Sequence, residues 1–570
     1  MNGILAVLLA VIEPLWPSVE VMPGYEPHQV ARMSKDKSKN PIAYLDWYEP
    51  PANPNGGVII LISGGAYNKC CDDMLVNELW PKFWNELGFQ CVNLVYRTPR
   101  SKTNEYYRTA WIDGQRAVRK VRAEAAKRGL DVKRIGAMGM SAGAHLTALL
   151  ATSSLTPAYE PVDELDKEPC NLDFAVPAAL PYGLTDSQGT ASTRGGNGVD
   201  CFPTDELKFD EATCPACLLH GGADKYSPEH SAWFYKRMRR AKVPAEIHIF
   251  PNSGHGTFWT TRNWQAFVRG FIRQLNLDKQ LGGEVDLLKR YPYTKDAELE
   301  KEGVMYEREL IWGEDEMPDV QTNQCTPHID WYIPTNLTTK AIQIIYSGGA
   351  YGGNHPEGFE VAPLRRYLNA KGMAVVTLKY RTPRPAAPLA KHTTAWQDLQ
   401  RAIKIVRTKA AEKGLDGQKI GIMGSSAGGH LTLMGVTSSR SHSYYEGKNP
   451  LDRTPCNVQW AIAIYPAYSL TDGINGGNKR GGNDDDIRLA PEFAFDPDTC
   501  PTLFMHGDSD PYASMASVKC WSWMRRMGVQ SEVHTLVKRS HCFHRKAAEG
   551  TTSYEWMERV EEFLRIHKWL

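Results

Sequence analysis

The sequence has almost no net charge. Lysine and arginine together number 66, and aspartate and glutamate 65, which leaves a formal net charge of +1 over 570 residues. Nucleic acids and anionic membrane surfaces attract proteins that carry an excess of positive charge, which this chain lacks. We therefore expect no nucleic-acid partner, and we expect a binding site in a pocket of a globular fold.

Long apolar runs are also missing. No stretch approaches the roughly 20 apolar residues of a transmembrane helix, so the sequence predicts no membrane span. A shorter run, ILAVLLAVI at residues 4–12, has the length of a signal-peptide core, although no basic residue precedes it and no A-x-A site follows. We interpret residues 1–13 as a signal segment of a secreted or periplasmic protein. A domain-entry strand, as in a cytoplasmic protein, and a start codon placed inside a longer signal are the alternatives.

The 12 cysteines do not follow a metal-binding pattern. Cys214 and Cys217 form one C-x-x-C, but no second C-x-x-C or histidine pair accompanies it at zinc spacing, so we expect no metal centre. Cys170 and Cys214 are 44 residues apart, as are Cys456 and Cys500, and each lies just before a predicted strand. Two disulfides are one expectation from this pattern. Four buried thiols preserved by duplication are the other.

The sequence does contain an internal duplication. YRTPR begins at residues 96 and 380, and LDWYEP/IDWYIP, SGGAY and RGGN recur at intervals of 284 to 286 residues. A solenoid needs several short repeats, whereas two repeats of nearly 290 residues are each long enough to enclose a core. The sequence predicts two domains, at 14–280 and 296–570, joined by a linker at 281–295 and packed on each other.

Apolar runs rich in valine and isoleucine alternate with helical segments in each copy. GGVIILIS, QCVNLVY and KRIGAMG are predicted strands, and LWPKFWNELGF, GQRAVRKVRAEAAKRGL and AHLTALLAT are predicted helices. Nearly continuous apolar strands separated by amphipathic helices are typical of a parallel sheet with helices on both faces. The predicted fold class is α/β, doubly wound, in both copies.

Each copy has a serine between a predicted strand and a predicted helix. GMSAG follows RIGAM at residues 139–143, and GSSAG occupies residues 424–428 after KIGIM. Small neighbours suit a strained turn that lifts a hydroxyl above the sheet at a helix N-terminus. G-x-S-x-G alone is weak evidence, but its recurrence in register predicts that Ser141 and Ser426 are nucleophiles. Ser425 aligns with Met140 and is therefore not the predicted nucleophile.

A serine nucleophile needs a base and an acid that orients the base. In the chain order Ser, Asp, His, the candidates are Asp224 and His255 in the first copy and Asp510 and His541 in the second, with 31 residues between acid and base in each. Asp508 is a weaker candidate because its counterpart is a glycine. Such a triad requires no metal or cofactor.

Two other pairs of histidines also recur in register. His248 and His534 lie within a predicted strand, so we interpret them as structural. His145 and His430 follow the serine by one helical turn, where an inward-facing histidine is usually a hydrogen-bonded packing residue. Neither pair replaces the histidines of the predicted triads.

SGGAY follows a predicted strand in each copy, at the place where esterases carry an HGGG-type loop. Backbone N–H groups in that loop, together with the one after the serine, stabilise a developing oxyanion. A simple turn is the alternative for a glycine pair in this position. The predicted donors are Gly65, Ala66 and Ala142 in the first copy and Gly349, Ala350 and Ala427 in the second.

These motifs together resemble a known family. SGGAY, YRTPR, TAWxDxQRAxxxVR, IGxMGxSAGxHL and the Asp and His segments are similar to the esterase-and-lipase branch of the α/β hydrolases, and within it to the bifunctional acetylxylan and feruloyl esterase-like family. The resemblance covers nearly all of both copies. It implies two tandem α/β-hydrolase domains and serine esterase chemistry, and it is less specific for the substrate.

The copies depart from the family pattern in one loop. Both begin it with serine, Ser63 or Ser347, where the family has histidine or proline. The first copy continues as NKCCDDM, with Cys70 and Cys71 beside the predicted oxyanion donors, and the second continues as GGNHPEG. We expect unequal pockets in the two copies.

Candidate substrate contacts lie between the nucleophile and the acid, where this fold places substrate-facing loops. Both copies have LTD followed by RGGN, and an arginine and an asparagine there can bind sugar hydroxyls, whereas a salt-bridged turn is the alternative. Tyrosines near the site can offer aromatic faces to a sugar. The predicted contacts are Arg194, Asn197, Arg480, Asn483, Tyr67, Tyr182, Tyr351 and Tyr468.

The leading hypothesis is a two-domain carbohydrate esterase that removes acetyl or feruloyl esters from a plant polysaccharide such as xylan. A general short-chain carboxylesterase is one alternative, and a serine peptidase or amidase is another, because the same triad cleaves amides. The chain has no appended domain to gate peptides, which disfavours the peptidase. In a third alternative, one copy is a binding or scaffold module, which the intact triads disfavour.

Overall fold

The computed structural model describes residues 11–37, 39–71, 73, 75–186, 201–287, 296–437, 445, 447, 450–472 and 487–570. The chain divides into two units, Met1–Leu281 and Gly282–Leu570. Within the predicted linker, residues 288–295 lie outside the described part. Most of the predicted signal segment also lies outside it, and Val11 and the two residues after it belong to a strand. No described helix has the length and apolar character needed to cross a membrane.

The first unit is built on one large sheet with helices around it. Its strands are β1 (Val11–Pro14), β2 (Val30–Ala31), β3 (Tyr44–Trp47), β4 (Val58–Ile62), β5 (Gln90–Val95), β6 (Arg97–Thr98), β7 (Ile135–Met140), β8 (Phe174–Ala178), β9 (Leu184–Asp186), β10 (Cys201–Pro203), β11 (Ala216–Gly221) and β12 (Ala245–Phe250). Its helices are α1 (Trp80–Glu86), α2 (Arg108–Lys127), α3 (Ala142–Thr152), α4 (Glu229–Arg240), α5 (Phe258–Thr261) and α6 (Trp264–Gln274).

The second unit repeats this plan. Its strands are β13 (Val285–Asp286), β14 (Val304–Leu310), β15 (His328–Pro334), β16 (Ile342–Tyr346), β17 (Ala374–Lys379), β18 (Ile420–Ser425), β19 (Trp460–Ile464), β20 (Leu470–Asp472), β21 (Ile487–Leu489), β22 (Thr502–Gly507), β23 (Glu532–Leu536) and β24 (Lys546–Ala547). Its helices are α7 (Asp296–Leu299), α8 (Ala362–Ala370), α9 (Thr393–Lys409), α10 (Ala427–Thr437), α11 (Met515–Arg526) and α12 (Trp556–Ile566).

The two large sheets share one strand order. Among the described residues it runs β1-β3-β5-β4-β7-β8-β11-β12 in the first unit and β14-β15-β17-β16-β18-β19-β22-β23 in the second. The first two strands of each sheet are antiparallel to their neighbours, and the following pairs are parallel. This order confirms the predicted α/β, doubly wound class. The strand that precedes each candidate nucleophile lies in the middle of its sheet.

Burial explains why these strands read as continuous apolar runs. All five residues of β4 (VIILI) and of β16 (IQIIY) are buried, as expected for parallel strands covered by helices on both faces. In such sheets, ligand sites form beyond the carboxyl ends of the strands. The predicted nucleophiles, acids and bases all follow strands at that edge.

The repeated YRTPR and TAWxDxQR phrases meet in a buried ion pair. Arg97 Nη2 lies 2.8 Å from Asp113 Oδ1, and both side chains are fully buried. In the second unit, Arg381 Nε lies 2.9 Å from Asp398 Oδ1. The pair joins the segment that follows β5 or β17 to the long helix, α2 or α9. The arginine and the aspartate of these motifs therefore stabilise the fold.

The two predicted disulfides are not formed. Cys170, Cys214, Cys456 and Cys500 are free thiols, so the alternative of four buried thiols is correct. Cys170 Sγ instead donates a hydrogen bond to the carbonyl oxygen of Ser154, at 3.3 Å. Burial raises the pKa of all four thiols, which keeps them protonated.

Candidate active sites

Each candidate nucleophile lies on a strained turn between strand and helix. Ser141 has φ 57° and ψ −123°, and Ser426 also has φ 57°, a left-handed conformation that a non-glycine residue rarely adopts. Glycines make the turn possible, because a Cβ on Gly139 would lie 2.3 Å from the carbonyl oxygen of Gly143. The turn holds each serine at the start of a helix, as the G-x-S-x-G motif predicts.

The second unit brings its predicted triad together. His541 Nε2 lies 2.8 Å from Ser426 Oγ, and His541 Nδ1 lies 2.8 Å from Asp510 Oδ2. These are the two hydrogen bonds that a serine nucleophile needs, one to accept its proton and one to orient the imidazole. The three residues come from three different loops after β18, β22 and β23.

The first unit brings together the same acid and base. His255 Nδ1 lies 2.8 Å from Asp224 Oδ2. Among the contacts of the described residues, Ser141 Oγ makes no hydrogen bond to His255, unlike its counterpart. Catalytic hydrogen bonds are often longer without substrate, so this geometry is compatible with the predicted role.

The acid of the second unit is held ionised by two histidines. Burial opposes ionisation of Asp510, but hydrogen bonds from His506 and His541 outweigh it and lower its pKa to about 2. The backbone N–H of Tyr512 also donates to Asp510 Oδ1, at 2.8 Å. In the first unit, Asp224 has a similarly lowered pKa for the same reasons.

Sequence reasoning assigned no role to the histidines four residues before each acid. His220 Nε2 lies 3.4 Å from the acid of its unit, and so does His506 Nε2. Tyr226 and Tyr512 pack against the imidazoles of His255 and His541, with ring centroids 4.7 Å and 5.0 Å away. The histidine and the tyrosine recur at the same positions of HGGADKY and HGDSDPY, and this recurrence could have indicated a shared role near the acid.

The predicted oxyanion loops have an unusual backbone conformation. Ala66 and Ala350 have φ 54° and 55°, and glycine precedes each of them. The tyrosine of each YRTPR motif supports its loop, because Tyr96 donates to the carbonyl oxygen of Ser63 at 3.1 Å and Tyr380 does the same in the second unit. Among the hydrogen bonds of the described residues, none uses the N–H of Gly65, Ala66, Ala142, Gly349, Ala350 or Ala427 as donor.

A relay of tyrosine, histidine and glutamate lies behind each oxyanion loop. The Tyr351 hydroxyl lies 2.8 Å from His430 Nδ1, and His430 Nε2 lies 2.8 Å from Glu492 Oε1. In the first unit, the Tyr67 hydroxyl lies 2.8 Å from His145 Nδ1, and Glu206 is the acid. The relay joins the oxyanion loop to the helix that starts at the nucleophile. His145 and His430 are thus hydrogen-bonded packing residues, as predicted.

The positions of the tyrosines contradict some of the predicted substrate contacts. Tyr67 and Tyr351 are only 1% and 0% exposed, so neither can offer a face to a sugar. Tyr182 stacks on Tyr67 with ring centroids 6.3 Å apart and is also buried. The predictions for these three tyrosines are wrong. Tyr468 is half-buried, and its role stays a prediction.

The other predicted sugar contacts cannot be placed. Arg194, Asn197, Arg480 and Asn483 lie outside the described residues, so their role stays a prediction.

The remaining recurrent histidines are structural, as predicted. His248 and His534 are buried in β12 and β23, and each lies 3.0 Å from the glutamate two residues before it on the same strand.

The first unit has an open pocket with an apolar wall beside the nucleophile. A cavity of about 320 Å³ is lined by Ser141, His255 and the oxyanion loop. Cys71 lines the cavity, and burial raises the pKa of its thiol, whereas its neighbour Cys70 is fully buried. The apolar wall consists of Leu75, Val76, Trp80 and Met140.

The second unit has polar groups at the corresponding positions. Glu360 stands 284 residues after Val76 and accepts a hydrogen bond from the N–H of Gly348, at 2.8 Å. Burial raises the pKa of this carboxyl. Tyr465, in place of an alanine, donates to Glu360 at 3.3 Å, and its hydroxyl lies 3.3 Å from His544. The residues beside the two candidate nucleophiles therefore differ in polarity, and unequal pockets stay a prediction.

Comparison with known proteins finds one family and several more distant relatives. The family model BD-FAE matches residues 45–198 and 329–523, together more than half of the chain. Endo-1,4-beta-xylanase B of Butyrivibrio fibrisolvens is 26% identical over 207 residues, which cover 35% of this chain and 32% of the relative. Acetylxylan esterase of Xylanibacter ruminicola is 24% identical over 220 residues, covering 36% and 42%. The chain thus spans less than half the length of these relatives.

Among solved structures, an acetyl ester-xyloside bifunctional hydrolase of Caldicellulosiruptor lactoaceticus is similar. It is 22% identical, with a TM-score of 0.38, and the match covers 46% of this chain and 97% of that protein.

Proposed function

The chain belongs to the BD-FAE family, and we propose that each unit is a serine carboxylic ester hydrolase that removes acetyl or feruloyl groups from a plant polysaccharide such as xylan. The observation that carries this proposal is His541, which lies 2.8 Å from both Ser426 and Asp510. The first unit has the same residue types in the same order. The names of two relatives, an acetylxylan esterase and a xylanase, support the choice of a xylan-derived ester.

The geometry supports an acyl-enzyme mechanism in two steps. Ser426 Oγ attacks the ester carbonyl carbon while His541 Nε2 takes the hydroxyl proton, and Asp510 stabilises the imidazolium. The oxyanion of the tetrahedral intermediate accepts hydrogen bonds from backbone N–H groups, including those of Ala350 and Ala427. When the carbon–oxygen bond of the ester breaks, the imidazolium gives its proton to the departing alkoxide. The sugar hydroxyl leaves, and the acyl group remains on the serine.

Water completes the cycle. His541 takes a proton from a water molecule, whose oxygen attacks the acyl carbon. The second tetrahedral intermediate collapses, the serine recovers its proton from the imidazolium, and a carboxylic acid is released. In the first unit, Ser141, His255 and Asp224 perform the same steps. A polysaccharide substrate lies outside the cell, so we also propose that the protein is exported.

The different residues beside the two candidate nucleophiles favour different acyl groups in the two units. Val76 and Met140 give the first unit an apolar wall, which suits a larger or aromatic acyl group. In the second unit, Glu360 takes the place of Val76 and accepts a hydrogen bond from Tyr465, and such buried polar atoms suit a short acyl group such as acetyl.

Product release by four forms of the protein tests the proposal. Wild type, Ser141→Ala, Ser426→Ala and the double variant are compared on acetylated xylan, feruloylated arabinoxylan, an aryl acetate and a peptide anilide. Loss of a nucleophile costs about 10⁶ in kcat at its own site, so each single variant measures the other unit. We expect the double variant to be inactive on every ester and all forms to be inactive on the anilide.

Three results would contradict parts of this proposal. Full ester hydrolysis by the double variant would refute the serine mechanism. Anilide cleavage that depends on either serine would favour the peptidase. If one single variant matched wild type on every ester while the other lost all activity, one unit would be a binding or scaffold module.

A further inference from the structure

Two histidines and a glutamate converge in the second unit, behind the oxyanion loop. His430 Nε2 lies 2.8 Å and His392 Nδ1 lies 3.7 Å from Glu492 Oε1. All three ligand-type atoms lie within 4.8 Å of one another. The side chains come from separate segments: the residue before α9, the second turn of α10, and the loop after β21. Convergence of three segments on one point is typical of a built site.

The separations fit a single ion. Bonds of about 2.0–2.2 Å to nitrogen and oxygen in a tetrahedral zinc site place the ligand atoms about 3.3–3.5 Å apart. The observed 2.8 Å and 3.7 Å lie on either side of that range. Small side-chain rotations bring these two separations into that range, and the two imidazole nitrogens already lie within 4.8 Å of each other. We propose that the second unit binds a divalent metal ion, with Zn²⁺ the best match, through His392, His430 and Glu492.

The donor set determines the class of ion. Two imidazole nitrogens and one carboxylate oxygen suit Zn²⁺, Co²⁺, Ni²⁺ or Fe²⁺, whereas Mg²⁺ and Ca²⁺ prefer oxygen ligands only. Glu492 is 13% exposed at its side chain, while His430 is fully buried, so the glutamate marks the side from which an ion enters. The ammonium of Lys391, next to one ligand in sequence, adds positive charge, so we expect an affinity in the micromolar range.

The ion would also act on the oxyanion loop. Metal-bound histidines are oriented by a hydrogen bond at their other ring nitrogen, and here His430 Nδ1 lies 2.8 Å from the Tyr351 hydroxyl. With Nε2 bound to the ion, Nδ1 carries the proton and donates it to that hydroxyl. Tyr351 directly follows the oxyanion donor Ala350. The site therefore connects metal binding to the loop that holds the oxyanion.

The first unit supplies a natural comparison. It has His145 and Glu206 at the positions of two of the ligands, but Tyr107 replaces His392. The ring of Tyr107 lies 5.4 Å from the ring of His145, almost the 5.5 Å that separates the rings of His392 and His430. The hydrogen bonds of the relay therefore form in both units, with or without a histidine at this position. His392 has no histidine counterpart in the first unit, so only the second unit has all three of the proposed metal ligands.

Metal titration of the full chain tests the proposal. The purified protein is stripped with a chelator, ZnCl₂ is added in a calorimeter, and CoCl₂ binding is followed by visible absorption, which reports tetrahedral coordination. We expect one ion per wild-type chain and at least about 100-fold weaker binding in His392→Tyr, which installs the residue of the first unit. The reciprocal variant, Tyr107→His, is expected to bind a second ion.

Two controls test whether the ion binds at this site. Cys217, Glu246 and His248 form another buried group of ligand-type atoms in the first unit, so we expect Cys217→Ala to bind the same number of Zn²⁺ ions per chain as wild type. If His392→Tyr does not fold, Glu492→Gln replaces it with the same expected loss. The proposal is wrong if wild type binds no stoichiometric Zn²⁺ at 100 µM, or if His392→Tyr binds the ion as tightly as wild type, and loss of the ion in Cys217→Ala would place it at the other group of ligand-type atoms.

Discussion

At the scale of single residues, the acid of the second unit is fixed in its charged form. Its two histidine hydrogen bonds hold the pKa of Asp510 at about 2, despite burial. The carboxyl therefore stays charged across the pH range in which an esterase works. A pKa lowered by folding also stabilises the folded state above the unfolded value of about 3.9, and this contribution is lost as the pH falls towards 2.

The first prediction concerns Asp510→Asn. We expect kcat of the second unit to fall by about 10⁴, because the amide cannot stabilise the imidazolium and favours the wrong tautomer. The free energy of unfolding should also lose part of its pH dependence between about pH 4 and pH 2. Hydrolysis is measured in a Ser141→Ala background so that only one unit reports. A fall of less than tenfold would mean that Asp510 is not the acid of this triad.

The second prediction concerns Glu360, a positioning residue. Glu360→Val removes the acceptor for the N–H of Gly348, which lies next to an oxyanion donor. An unsatisfied buried N–H costs about 1–3 kcal/mol, so we expect kcat on an acetyl ester to fall roughly 5- to 150-fold with little change in KM. Glu360→Gln keeps an acceptor and should restore most of the rate. Equal loss in both variants would contradict the positioning role and point to a need for the charge.

Residue-level sequence reasoning succeeded where the two copies agree and failed where side-chain direction decides. The G-x-S-x-G motif, the chain order and the register of the copies together predicted Ser426, Asp510 and His541 as a triad, and the structure brings them together. The same register gave Tyr351 as a substrate contact, because a tyrosine after an oxyanion loop has the same spacing whether it points to substrate or into the core. Comparison of the two copies could not single out Glu360, because its counterpart is valine. The role of a residue that differs between the copies becomes clear only from its contacts in the structure.

At the scale of elements, one buried ion pair connects the segment after β5 to helix α2. Arg97 donates to Asp113 through its side chain and also through its backbone N–H, at 2.9 Å. The Trp16 indole N–H donates to the same carboxylate, at 3.0 Å. A buried ion pair of this kind adds little net stability over a pair of apolar side chains. Removal of one partner, however, leaves the other charge buried and unpaired in the core.

The third prediction follows from that asymmetry. Asp113→Ala should lower the free energy of unfolding of the first unit by about 3–5 kcal/mol, because it leaves the guanidinium of Arg97 buried without its partner. The double variant Arg97→Met with Asp113→Leu should be less destabilised than the single variant. Urea unfolding monitored by tryptophan fluorescence measures both. A single variant within 1 kcal/mol of wild type would show that the pair is not the main connection between these elements.

The elements themselves were largely predictable, for a physical reason. Parallel strands buried on both faces are continuous apolar runs, so VIILI could be read directly as β4. The predicted helix AHLTALLAT lies within α3, Ala142–Thr152. The outer strand β14 was not predicted, and a strand near β1 was only an alternative to a signal segment, because an antiparallel edge strand has one exposed face and its alternation is weak. In β14, most residues are exposed or half-buried.

At the scale of the whole molecule, the duplication has kept one structural frame and changed the residues around the candidate active sites. Both units share the strand order, the residue types of the candidate triad, the relay and the buried ion pair. The differences described above lie around the second active site: Glu360 for valine, Tyr465 for alanine and His392 for tyrosine. A change confined to the lining alters what a site accepts, without altering its reaction. Divergence of substrate is therefore the simplest outcome of this duplication.

The fourth prediction uses that shared frame to count working sites in the intact chain. Each described triad draws all its residues from one unit, so a fluorophosphonate probe should label two serines per chain, Ser141 and Ser426. We expect Ser426 to react faster, because its hydroxyl already lies 2.8 Å from His541 Nε2, whereas Ser141 must first move towards its base. Peptide mapping by mass spectrometry over a time course measures both rates, and each serine-to-alanine variant should retain one label. Labelling of a single serine, with the other untouched at saturation, would mean that the duplication left only one unit with a competent nucleophile.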